Sequence, residues 1–167
     1  KNQVAIIRAF QRVYKQNKGV HLILAGDGPC HEMLIDEVKK LQLNNAIDLP
    51  GAVGNVNDYY AVSDVYVQSS HREAMPMSVL EALATGLPII STNVGGLNDV
   101  VKYNGFLIPD DNDKALYDAM EKIATLPEIE LKKMSSVSKT ISERYSSEKM
   151  AQEYTKLYFR VGKGVNE

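Results

Sequence analysis

Apolar positions fall in short runs separated by amphipathic stretches, and this alternation continues along most of the chain. Ile6, Ile7, Phe10 and Val13 share one face of a helix that starts almost at the first residue. Residues 20–25 form a compact apolar run that stops at Gly26-Asp27-Gly28-Pro29, and Met33, Leu34, Val38 and Leu41 then mark a second helix. Residues 46–49, closed by Pro50-Gly51, read as a second strand, 57–62 as a short helix and 65–68 as a third strand. Two more strands are expected at 88–92 and 105–108, with Gly95-Gly96 and a short helix near Asp99 between them. Asp111-Asn112-Asp113 caps a helix over 115–125, and from Pro127 onward the chain is charged and helical. Short strands alternating with helices predict an α/β fold with a doubly wound parallel sheet covered on both faces. Ligands of such folds bind beyond the carboxyl ends of the strands. Residues 1–145 are expected to form this body, and 146–167 its C-terminal helix.

The segment 72–88 departs from the pattern. It carries two carboxylates, Glu73 and Glu81, and the second lies in a run that is otherwise almost wholly apolar. Pro76 suits a helix start, since its φ is already set and it wastes no amide there. Gly86 and Pro88 end that helix. Glu73 therefore belongs to the loop feeding the helix and Glu81 to the helix itself. Val79, Leu80, Ala82, Leu83 and Ala84 surround Glu81, so the helix is expected to be largely buried. A carboxylate there is costly without a polar partner. A ligand is one such partner, and a narrow window to solvent is the other solution.

Composition narrows the field. At 167 residues and 44% hydrophobic content the chain has enough material for one well-filled core. A net charge of -2 gives no electrostatic reason to expect nucleic acid or an anionic membrane as partner. The single cysteine, Cys30, leaves no internal disulfide and fits a reducing compartment. No apolar run is long enough to span a bilayer. A buried helix opening the sequence predicts a fragment of a longer polypeptide.

Other motifs are weaker. Gly26-Asp27-Gly28-Pro29 lacks the third glycine of a dinucleotide fingerprint and suits a tight strand-to-helix turn. The acidic run 110–113 is adjacent rather than convergent, so capping explains it better than metal binding. Of the histidines, His21 falls in a strand and His31 starts a helix, while His71 lies in a loop on the ligand side. Cys30 has no base beside it in sequence, and no Ser-His-Asp pattern appears. Lys1, at the entry to the first helix, is read on its own as a solvated lysine, although a cation there could hold a phosphate together with backbone amides.

Taken in order, three sets of motifs resemble a known family. They are residues 22–29, then Leu49-Pro50-Gly51-Ala52-Val53, then 59–67 with Tyr59-Tyr60-Ala61-Val62-Ser63-Asp64. The most specific part is 73–96, ending Ile89-Ile90-Ser91-Thr92-Asn93-Val94-Gly95-Gly96, and Asn104-Gly105-Phe106-Leu107-Ile108-Pro109 extends it. The pattern resembles the carboxy-terminal, donor-binding half of retaining GT-B glycosyltransferases of the group 1 type, which carry an acid, seven residues, acid motif. The resemblance implies a Rossmann-like half of a GT-B fold whose first strand, with a Gly-Arg pair after it, would precede Lys1. It implies a nucleotide-sugar donor, no metal cofactor, and an acceptor-binding N-terminal domain as partner in the same polypeptide. It also implies a cytoplasmic protein, meeting a membrane only through that other half. By the same resemblance Glu73 would contact the donor sugar near the reacting carbon, and Glu81 the ribose hydroxyls. The amides from Met75 through Met77 to Ser78 would meet the diphosphate, with Lys1 gripping it. Val53 would lie against the nucleobase and Asn55 near it. A nucleotide-sugar epimerase of the same architecture and a catalytically silent nucleotide-sugar-binding module remain as alternatives.

Overall fold

The computed structural model describes residues 1–163; the end of the expected C-terminal helix, residues 164–167, lies outside the described residues. In chain order the elements are α1 (Gln3–Gln16), β1 (Leu22–Ala25), α2 (His31–Lys40), β2 (Ile47–Gly51), α3 (Val56–Ala61) and β3 (Tyr66–Gln68). There follow α4 (Met77–Thr85), β4 (Ile89–Thr92), α5 (Leu97–Val100), β5 (Gly105–Ile108), α6 (Asp113–Ala124), α7 (Glu128–Ser142), a 3-10 turn (Glu143–Tyr145) and α8 (Ser147–Lys163). The fold is the expected mixed α/β architecture with parallel strands and a helical C-terminal tail.

The strands form two parallel sheets, β1-β2 and β3-β4-β5. β4 shows why helices must lie on both faces. All four of its residues are buried, and neighbouring side chains point opposite ways. Ile90 joins Ile6, Phe10, Leu116 and Ile123 in the core under α1 and α6. Ile89 joins Tyr60, Val79, Leu83 and Leu97 in a second core under α3, α4 and α5. Ile89 and Ile90 are apolar because neither face meets water, and the equally buried Ser91 and Thr92 satisfy their hydroxyls on the Thr92 and Ser70 carbonyls. β1 and β3 are not hydrogen-bonded to each other, although Leu22 and Leu24 of β1, Val67 of β3 and Val65 just before it pack against the same core.

α4 ends where Gly86 takes a left-handed φ of 87°, and a Cβ there would sit 2.6 Å from Lys139 Cε and 2.8 Å from Ser135 Oγ of α7. A buried polar tie completes that junction. Ser138 Oγ of α7 donates to the Leu87 carbonyl at 2.7 Å, and Asn104 Nδ2 donates to Ser138 Oγ at 3.1 Å. Two expectations shift. Ala84 and Met33, counted from the sequence among core-facing positions, are exposed, so α4 is half-buried rather than enclosed. Among the described residues no other element covers those positions, which one helix's own pattern does not report. α8 exposes Met150, Tyr154, Leu157, Tyr158 and Phe159.

Ser138→Ala strands the Leu87 carbonyl and one Asn104 donor in the core. It is expected to lower unfolding free energy by about 1–3 kcal/mol in urea denaturation. Ser136→Ala, whose hydroxyl bonds only within its own exposed helix, is the control and should be near neutral.

Candidate functional site

The loops after β3, β4 and β5 emerge side by side at the carboxyl ends of the strands, and the loop after β3 is fastened from several directions. Thr92 Oγ1 of β4 donates to the Ser70 carbonyl at 2.6 Å, and the Gly96 amide donates to the Ala74 carbonyl at 2.8 Å. Gly95 lies so close that a Cβ on it would fall 2.1 Å from the Glu73 carbonyl oxygen, and its φ of 56° is itself unfavourable for other residues. This close approach is why two glycines follow β4. His71 Nδ1 meets Asp110 Oδ1 at 2.8 Å, bridging to the loop after β5.

Glu73 projects from this loop with its side chain only 14% exposed, and Lys1 Nζ donates to its Oε1. Lys1 reaches it because the start of α1 is tied to the end of β3. Ser69 Oγ lies 2.8 Å from the Asn2 carbonyl and 3.2 Å from that of Lys1. Burial pushes the Glu73 carboxyl upward, but the bonds and charge of Lys1 outweigh it and hold the pKa below the ordinary value. The Ser70 hydroxyl contributes to this lowering, although its Oγ makes no well-formed hydrogen bond among the described residues.

α4 opens three residues after Ala74. Pro76 stands just before its first residue in extended conformation and its carbonyl accepts from the Val79 amide at 3.1 Å. No side chain caps the helix, so the amides of Met77 and Ser78 point out of its N-terminus without an intrahelical acceptor. The partial positive charge there favours an anion. Ser78 Oγ accepts from Tyr66 at 2.8 Å, Met77 is exposed, and Met75 tucks its methyl group against Gly96.

One turn further on, the half-buried Glu81 accepts from the Tyr60 hydroxyl at 3.0 Å on Oε2. Among the described residues no cation pairs with it. Burial, then the bond to Glu81, raises the Tyr60 pKa far above that of a free phenol. Tyr66 is raised as well, by burial first, with the charges of Glu73 and Glu81 adding and the Ser78 bond opposing. Both carboxylates thus act on one tyrosine, Glu73 from the loop before α4 and Glu81 from within the helix.

The remaining sequence candidates are more scattered. Val53 is half-buried in the loop after β2. Asn55 uses its Oδ1 to accept from the Asn57 amide at 3.2 Å, capping α3, so only its amide nitrogen is left for a ligand. Asn112 caps α6 through a 2.9 Å bond from the Ala115 amide, as the capping reading of 110–113 requires. His21 meets Asp48 at 3.0 Å just ahead of β1 instead of lying within the strand. Tyr60, Tyr66 and Gly95 were not identified from sequence. The available signals were two tyrosines bracketing the Ser63-Asp64 turn and a glycine pair directly after a buried strand.

With this geometry in place, comparison with known proteins is informative. The glycosyl transferases group 1 family matches residues 1–141, and the chain belongs to that family. It is 30% identical over 152 residues to an uncharacterized glycosyltransferase of Haemophilus influenzae, covering 89% of this chain and 43% of that protein. It is 27% identical over 158 residues to the N-acetyl-alpha-D-glucosaminyl L-malate synthase of Bacillus anthracis, covering 93% of this chain and 41% of the synthase. The chain thus spans less than half the length of these relatives. Among solved structures, Anabaena HepE in complex with UDP superimposes with a TM-score of 0.85 at 21% identity, covering 96% of this chain and 45% of that one. The pneumococcal O-GlcNAc transferase GtfA with UDP and GlcNAc gives 0.82 at 20% identity, covering 96% and 33%. These neighbours establish the GT-B fold of the chain. Among the described residues, no helix is long and apolar enough to cross a membrane.

Lys1→Met should raise the Glu73 pKa, read by carboxyl NMR titration, because the cation holding it down is gone. A carboxyl with a depressed folded-state pKa contributes stability above its unfolded value and loses it as pH falls through the folded one. The variant should therefore show a weaker loss of stability on acidification across that window.

Proposed function

We propose that this chain is the donor-binding half of a retaining glycosyltransferase that moves a sugar from a nucleoside diphosphate sugar to an acceptor held by the rest of the polypeptide. The observation that carries the reading is the uncapped N-terminus of α4 with one carboxylate in the loop before it, paired with Lys1, and a second carboxylate within the helix that has no cation partner among the described residues. A diphosphate fits the amides of Met77 and Ser78, with Lys1 in reach as a neutralising charge. Glu81, an acceptor with oxygens to spare, suits the ribose hydroxyls. Glu73 suits the sugar hydroxyls next to the reacting carbon. Val53 would line the base, and the free nitrogen of Asn55 would lie near it.

Departure of the diphosphate leaves positive charge on the sugar ring and negative charge on the leaving oxygens. The fixed amides and Lys1 oppose the negative charge without rearranging, so the reading needs no metal ion. Glu73 is engaged with Lys1 and serves positioning better than covalent attack, which favours transfer on the same face of the sugar. The open edges of β1 and β3 support a further strand, supplied by the remainder of the polypeptide, lying between the two sheets. An exposed free thiol at Cys30 fits a cytoplasmic setting.

In the full-length enzyme, Glu81→Ala should weaken nucleotide affinity on the order of tenfold by calorimetry, the loss expected of a charged hydrogen bond to a ligand. Unchanged affinity would remove the ribose assignment. Glu73→Gln should lower kcat by about a hundredfold while affinity for the nucleotide moves little, as for a group engaged mainly in the transition state. Equal losses in both would overturn its role.

A further inference from the structure

Glu81 is held in an unusual way for a half-buried carboxylate. It has no cation, and among the described residues its side chain accepts one hydrogen bond, from Tyr60. The terminal torsion of a glutamate is soft and broad, so its plane is not fixed by its own rotamer. Recognition of a vicinal diol requires that plane to be fixed, because two hydroxyls must reach two oxygens together.

Tyr60 is well suited to fix it. Its ring is 7% exposed and packs at a tilt against Tyr66, with centroids 6.2 Å apart. Its hydroxyl lies 3.0 Å from Glu81 Oε2 and 3.3 Å from the Ser78 carbonyl, three residues earlier on the same helix face. It carries one proton, and the charged oxygen is the stronger acceptor. The burial that raises the phenol's pKa keeps that proton in place. The bond occupies Oε2 from the protein side and leaves Oε1 and the remaining lone pairs to accept from outside.

We propose that Tyr60 is a positioning residue for ribose recognition, its hydroxyl fixing the plane of the Glu81 carboxylate so that the free oxygens accept from the vicinal diol of a bound nucleoside diphosphate. The proposal rests on the assignment of Glu81 to ribose. It applies to whichever base the site takes.

The test is calorimetric titration of the full-length enzyme and its Tyr60→Phe and Glu81→Gln variants. The probes are whichever of UDP, GDP and ADP the wild type binds most tightly and the 2′,3′-dideoxy counterpart of that nucleotide. Tyr60→Phe should weaken the ribonucleotide on the order of five- to tenfold and leave the dideoxy compound within about twofold. Both probes meet the same sample, so their ratio is insensitive to the fraction folded. Equal losses would mean that Tyr60 only supports the fold, and no loss for either would mean that it does nothing for binding. Each result overturns the proposal. If Glu81→Gln leaves the ratio at its wild-type value, the ribose assignment itself fails and the proposal with it. If Glu81→Gln changes the ratio and Tyr60→Phe does not, Tyr60 alone is removed from the mechanism.

Discussion

Burial of β4 on both faces is the constraint from which the rest of the structure follows. A strand with Ile89 in one core and Ile90 in the other requires helices above and below it. It also fixes where its own ends lie. From its carboxyl end Thr92, Gly95 and Gly96 reach the loop after β3 and hold the Glu73 backbone within contact distance. The position of the Glu73 carboxylate is therefore set in part by the packing of a strand with no exposed residue.

The two acids of the α4 region are satisfied by different means. Glu73 is countered by an ammonium group delivered from the start of α1, far away in sequence. Glu81 accepts from a phenol and has no cation partner among the described residues. In the proposed reading, that asymmetry separates a carboxylate that holds the sugar from one that accepts from the ribose hydroxyls. It also gives the anion-binding amides between them a defined electrostatic frame.

Much of this was legible in the sequence. The apolar runs located the five strands, the Pro76–Gly86 bracket gave α4 to within a residue at each end, and Glu73 and Glu81 fall, as expected, in the loop before that helix and in the helix itself. Periodicity treated each element alone, and that is where it stopped. Ala84 looked like core because its neighbours are apolar, yet nothing packs over it. The capping bond of Asn55 went unread because its partner, an amide two residues on, is a property of the α3 start and not of the side chain. Tyr60 and Tyr66 act across 21 and 12 residues of chain, a reach no local pattern reports.

The open edges of β1 and β3 have a consequence for the history of the molecule in the cell. A row of unpaired amides and carbonyls accepts any strand that arrives, including the same segment of a neighbouring chain. Left uncovered, such edges open the body to swapping and to growth by addition of like edges. Covering them is then a protection against self-templated assembly.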